Sequence, residues 1–224
     1  RILYRIQLAP ALVSLFFAAA VCIPAYLRFE PTLEPENVSG LCLLLALATG
    51  LWMAFSLLRG ARTVLRTLRF TSACRRSGKF LQRCDATPVL AVPRTAYPLA
   101  LLGFRKPVII VSTDLLDQNR LNPDAFAVAL NHERSHALHR DNWKLLSLSF
   151  LPRLSPLFRD PWAPAWRAAA DWAADDDAAC GDPHRCLLLA EAIVQAARAS
   201  RVSARSATPV IETAVTSSET SLAA

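Results

Sequence analysis

The chain is poor in glycine, methionine and charge. Six glycines in 224 residues leave nothing for glycine-rich phosphate loops or collagen-like repeats. Charged residues make up 19%, against about 25% in an ordinary soluble domain, while apolar types reach 53% and mean hydropathy is +0.28. An ordinary water-soluble globule and a disordered chain are both disfavoured by those proportions. There is no C-x-x-C among the six cysteines, so a cysteine-based zinc or redox site has little support. Methionine occurs once and does not open the chain, which begins at Arg1; the expectation is a native start further upstream.

The apolar excess is concentrated near the N-terminus. Leu8 to Leu27 is 20 residues without a charge, and Val38 to Leu58 is 21. Each suffices to cross a hydrocarbon core of about 30 Å. A short connection with two prolines, RFEPTLEPEN, joins them, so the pattern predicts a transmembrane helical hairpin. A cleaved signal peptide is the alternative for the first block, but its apolar run is too long and no small-residue cleavage signal follows. The connection holds one Arg and three Glu, whereas Arg59 to Arg83 holds seven Arg and one Lys with no acid. The positive-inside rule therefore places the remainder of the chain in the cytoplasm. It also explains much of the net charge of +7 as a juxtamembrane cluster facing anionic lipid rather than nucleic acid. Cys22 and Cys42 fall in the spans; Cys74, Cys84, Cys180 and Cys186 fall on the cytoplasmic side, where thiols stay reduced.

Beyond the basic stretch the character changes. PVLAVP and PVIIVS read as two strands with a turn at Gly103, and Pro107 suits a strand start or an edge. Asn122 is a good N-cap with Pro123 in the first helical position and Asp124 at the positive end of the dipole, predicting a helix to about His139. Leu145 to Phe158 is apolar but broken by Pro152, Arg153 and Pro156. It reads as a membrane-skimming or re-entrant segment, or a buried helix. Two helical stretches follow, WRAAADWAADDDAAC and RCLLLAEAIVQAARA, and Ser200 to Ala224 reads as a disordered tail.

The Asn122-capped helix carries His132-Glu133-Arg134-Ser135-His136, an H-E-x-x-H pattern. With four His and seven Glu, chance supplies about 0.002 such matches. Residues four apart share a helix face, so both imidazoles can converge on one ion. Zinc takes about four ligands and a catalytic site keeps one for water, whose pKa it lowers to about 7. Glu133 then stands beside the metal as general base. A solvent-facing histidine pair is the competing explanation. His139 lies about 10 Å along the axis from His132, too far to share the ion. The third ligand is expected from the later acidic helix. There Asp171 suits the metal and Asp175, one turn on, suits the N–H of a ligand histidine; Asp176 and Asp177 read as a solvent-facing acidic surface. For an oxyanion-stabilising group only Tyr97 and His184 offer themselves.

The hairpin, the basic linker, PLALLGFRKPVIIVS, NHERSHALHRDN and DWAADDDAA, in that order, resemble the membrane-embedded zinc metallopeptidases of the β-lactam-sensor (BlaR/MecR) type over residues 1–199. The resemblance implies a mainly α protein with a small β element: a transmembrane hairpin in 1–59, a basic helix or linker in 60–86, a gluzincin-like α+β zinc metallopeptidase domain in 87–199, and a tail in 200–224. It implies zinc on His132, His136 and Asp171, Glu133 as base, and Asp141 as an acidic residue that follows the motif. The E-x-x-A-D element of that family falls on Asp171 to Asp175. Further implications are a bacterial inner-membrane location with a cytoplasmic active site, a protein or peptide substrate pairing with the Pro107–Val111 edge, and no nucleic-acid partner; a homodimer is left open. Asp171 stands where the family carries Glu, Ser112 where Pro is common, and neither a further span nor a sensor domain is evident. The alternative is a non-catalytic membrane signalling or scaffold protein with a degenerate site.

Overall fold

The computed structural model describes residues 2–29, 39–93, 95, 97–117, 122–151 and 162–206. It is mostly helical with one four-stranded sheet. The order is α1 (Ile2–Phe17), a π-helical stretch (Ala18–Cys22), α2 (Ile23–Phe29), α3 (Gly40–Ser77), β1 (Lys79–Cys84), β2 (Thr87–Val92), β3 (Leu99–Leu102), β4 (Val108–Ser112), α4 (Thr113–Asp117), α5 (Pro123–His139), α6 (Asp141–Phe150), α7 (Trp162–Ala179) and α8 (Pro183–Ser206). The chain divides into two compact units. One is Arg1–Thr63 with Lys144–Trp166, the other Val64–Trp143 with Arg167–Ala224.

In the first unit, α1 continues through the π-helical stretch into α2 as one apolar rod, Ile2–Phe29. That rod and Gly40–Ser77 are both long and apolar enough to cross a membrane. Leucines and phenylalanines are exposed all round both helices, which fits apolar surroundings better than water. The end of α6 is anchored in this unit. Tyr4 Oη and Ser147 Oγ are 3.0 Å apart, and the Arg59 guanidinium donates to the carbonyls of Ser149 (3.2 Å) and Leu151 (2.6 Å). The segment expected to skim or re-enter the membrane is thus helical to Phe150; residues 152–158 lie outside the described set.

The second unit is built on a sheet of order β1-β2-β4-β3. Two strands were expected and, among the described residues, four are present. Lys79–Cys84, within the stretch read as basic helix or linker, leaves the end of α3 and returns through Asp85 (φ 51) as a hairpin with β2. Leu99–Leu102, read as part of a connection, forms β3. β2 and β4 run parallel, and β3 lies antiparallel on the far side of β4. The expectation that Pro107–Val111 forms an edge is therefore corrected. β4 is internal, with all five residues buried, because its unbroken β-branched run can cover both faces. The described edges are β1 and β3. Gly103, at φ +81, makes the expected turn from β3.

Alternation along the strands separates two cores. Leu90, Val92, Val108 and Ile110 pack with Cys74 and Phe70 of α3. Val89, Ile109 and Val111 face the other way onto Leu115, Leu130 of α5 and Ala199 of α8. Ala125, Val128 and Ala129 of α5 meet Ala178, Leu188, Leu189 and Ala192; small side chains on one helix allow this close approach. α8 runs to Ser206, past the point where the tail was expected to begin; 207–224 lie outside the described residues.

Candidate metal centre

α5 begins as its cap requires, with Asn122 Oδ1 accepting from the Asp124 N–H at 3.0 Å and Pro123 at the first position. It ends at Arg140, whose left-handed backbone (φ 54) stops the helix and turns the chain so that α6 starts at once with Asp141. Between those ends the helix presents His132 and His136 on one face. Their rings stand edge to face with centroids 4.9 Å apart, and their Nε2 atoms are 3.2 Å apart. Asp171, from the middle of α7, brings Oδ1 to 3.5 Å from His136 Nε2. One donor atom from each of the three lies within 4.8 Å of the others, so the group could hold a metal ion.

The outer nitrogens are also faced by carboxylates. His136 Nδ1 is 2.9 Å from Asp141 Oδ2, and the Asp141 side chain is only 8% exposed. His132 Nδ1 is 2.9 Å from Asp175 Oδ1, off the line of a hydrogen bond, so that both buried atoms lack a hydrogen-bond partner. A proton held on His136 Nδ1 by Asp141 leaves the Nε2 lone pair of that ring turned toward Asp171. Burial disfavours charge on His136, but Asp141, Glu133 and Asp171 outweigh it and raise its pKa.

Glu133 lies beside the imidazoles and accepts from the Leu101 N–H of β3. Burial pushes its carboxyl up, opposed by the two histidines and that N–H, with Asp171 adding to the rise. Leu101 is held at both backbone groups. Asn142 Nδ2 donates to the Leu101 carbonyl (3.2 Å) and to the Gly103 carbonyl (2.8 Å). Ser112 N donates to Pro98 O, so in the antiparallel ladder Leu99 and Leu101 point their backbone groups away from β4. Among the described residues, Leu99 keeps the unpaired outward N–H and C=O of this edge.

Comparison with protein-family models, curated proteins and solved structures returned no match. The centre therefore rests on its own geometry.

The structure brings together His132, Glu133, His136, Asp171, Asp175 and Asp141. His139 is directed elsewhere, its Nδ1 3.2 Å from Ser135 Oγ and 3.6 Å from Asp177 Oδ2. Asp177 is exposed, as the acidic-surface reading expects, and it also accepts from Ser135 at 2.6 Å, which ties α7 to the buried side of α5. Tyr97 packs its ring on Phe70, in the core on the α3 side of the sheet. His184 is exposed in the first turn of α8, its N–H capped by Asp182. Neither is placed with the histidines. Asn142 and the Leu101 backbone went unnoticed in the sequence. Adjacency to Asp141 was the available signal for Asn142; nothing local marks Leu101.

The donor set fits zinc. Nitrogens at about 2 Å from a tetrahedral ion stand about 3.3 Å apart, against the 3.2 Å between the two Nε2 atoms, and two imidazoles with one carboxylate form a common catalytic ligand set.

Proposed function

We propose that the chain is a membrane-anchored zinc endopeptidase, cutting a protein substrate on the cytoplasmic side of a bacterial inner membrane. The observation that carries this reading is the convergence of His132, His136 and Asp171 beside Glu133, with Asp141 and Asp175 behind the rings. When bound, zinc supplies a Lewis acid that polarises a carbonyl and acidifies water. Glu133 takes the proton of the attacking water and delivers it to the departing amine; burial raises its pKa and so makes the carboxylate a stronger base toward that water. Asp141 and Asp175 hold the rings in orientation. A substrate strand pairs with β3 rather than β4, through the outward N–H and C=O of Leu99.

The test is zinc content of the detergent-solubilised protein and cleavage of a co-expressed substrate pool, comparing wild type with Glu133→Gln. Near-stoichiometric zinc in both, with cleavage reduced at least about 100-fold in the variant, is expected. Equal cleavage removes Glu133 from the chemistry. Zinc without hydrolysis in either protein favours a metal-binding scaffold.

A further inference from the structure

A cleft of about 380 Å³ opens directly beside the metal centre, with His136 in its wall. Its apolar side is made by Phe104 and Trp143, whose rings meet edge to face at 5.1 Å and 77°. Its charge comes from Arg105 and Arg140, both exposed. Among the described residues neither guanidinium has an ion-pair or hydrogen-bond partner, and no acidic side chain lines the cleft. Of the other arginines of this unit, Arg134 pairs with Asp85 and Arg75 donates to the Lys106 carbonyl, while Arg66, Arg69 and Arg83 are exposed on the surface. Two unneutralised cations beside a bulky aromatic wall make an electrostatic surface that awaits an anion.

The backbone holds both cations close to the chemistry. Arg140 is the left-handed residue between the ligand helix and Asp141. Arg105 lies two residues beyond Gly103, whose carbonyl is fastened by Asn142. Whatever enters the cleft is thus set in register with the Leu101–Glu133 contact.

We propose that this cleft is a specificity subsite for an acidic side chain, so that the substrate carries Asp or Glu beside the bond to be cut. This rests on the endopeptidase reading. The aromatic wall covers the methylenes of the entering residue and the guanidiniums pair its carboxylate. An anionic lipid headgroup would find the same two charges. The peptide is favoured because the cleft is walled by a metal ligand and lies next to an edge strand with one free donor and acceptor.

The experiment has two arms, both on the full-length protein in detergent. In the first, a proteome-derived peptide pool is digested by wild type and the residues flanking each cut are read by mass spectrometry. Asp and Glu should be enriched about fivefold over Asn and Gln at one flanking position, the scale of one or two partly exposed charge pairs. Arg105→Ala with Arg140→Ala should abolish that enrichment, Arg105→Lys with Arg140→Lys should retain most of it, and reversal of both to Glu should turn it toward Lys and Arg. In the second arm, Glu133→Gln protein is titrated with fluorescein-labelled Ala/Ser decapeptides carrying a central Glu, Gln or Lys. The Glu peptide should bind about fivefold tighter than the Gln peptide, and this advantage should vanish in the double alanine variant.

Cleavage without acidic enrichment, or enrichment unmoved by the arginine changes, overturns the subsite and leaves the peptidase standing. Absence of cleavage with arginine-dependent Glu-peptide binding retains the acidic site and discards the peptidase. Loss of binding to phosphatidylglycerol vesicles in the double alanine variant, with equal binding of the three peptides, assigns the cleft to lipid and overturns the proposal.

Discussion

Each imidazole of the candidate centre is faced by a carboxylate, but the two carboxylates are unequal. The Asp141 side chain is 8% exposed and hydrogen-bonded; that of Asp175 is 41% exposed and off axis. Asp141→Ala is therefore expected to weaken zinc binding about 10- to 100-fold, and Asp175→Ala by clearly less, in competition titrations with a chromophoric chelator. The reverse order would make Asp175 the principal support. If the exposed Asp171 is the third ligand, as proposed, Asp171→Ala should lose bound zinc outright. Away from the site, the Cys84 thiol is pushed up by burial and then by Asp85, against a smaller pull from Arg134. A raised pKa leaves less thiolate at any given pH, so Cys84 should alkylate more slowly at pH 8 than the exposed Cys180 and Cys186. Mass-spectrometric labelling kinetics decide this; a faster Cys84 would contradict it.

At the scale of elements, the site depends on how β3 is fastened to the turn after α5. Asn142 holds Leu101 and Gly103 through their carbonyls, while Glu133 holds the Leu101 N–H. Asn142→Ala removes two hydrogen bonds and should cost about 1–2 kcal/mol in chemical denaturation. Zinc content should stay intact while turnover falls, because the strand, not the ligand set, is released. If zinc is lost as well, Asn142 supports the ligand helix rather than the strand. The α5–α8 contact is packed by alanines, and Ala129 is 6% exposed within it. Ala129→Leu should overpack this seam and cost about 1–3 kcal/mol, read as a lower melting temperature.

For the molecule as a whole, two features set the expected behaviour. Two helices long and apolar enough to span a bilayer, apolar all round, should keep the protein in the membrane pellet after alkaline carbonate extraction. Release into the supernatant would make them surface-bound rather than spanning. A metal ion held by His132, His136 and Asp171 would link α5 to α7. Free metal at about 100 times its dissociation constant adds about 2.7 kcal/mol to the folded state. A chelator should accordingly lower the melting temperature of wild type, and far less that of Asp171→Ala.

Sequence alone determined what local periodicity controls. Helix α5 from Pro123 to His139, the four-residue spacing that aligns His132 with His136, the helical character of Asp171 to Asp175, and the presence of two long apolar helices all follow from local pattern, whereas the continuation of the second helix to Ser77 did not. Tertiary structure decided which of several compatible partners each element takes. PVIIVS is equally good as an edge or an internal strand by composition, and only packing on both faces made β4 internal and left β3 as the edge beside the site. The left-handed Arg140 folds Asp141 back onto His136 and Asn142 onto Leu101, while Ser135 recruits Asp177 from forty-two residues away. Such contacts are chosen by the free energy of burying and satisfying groups distant along the chain, and no short window of sequence contains both halves of that choice.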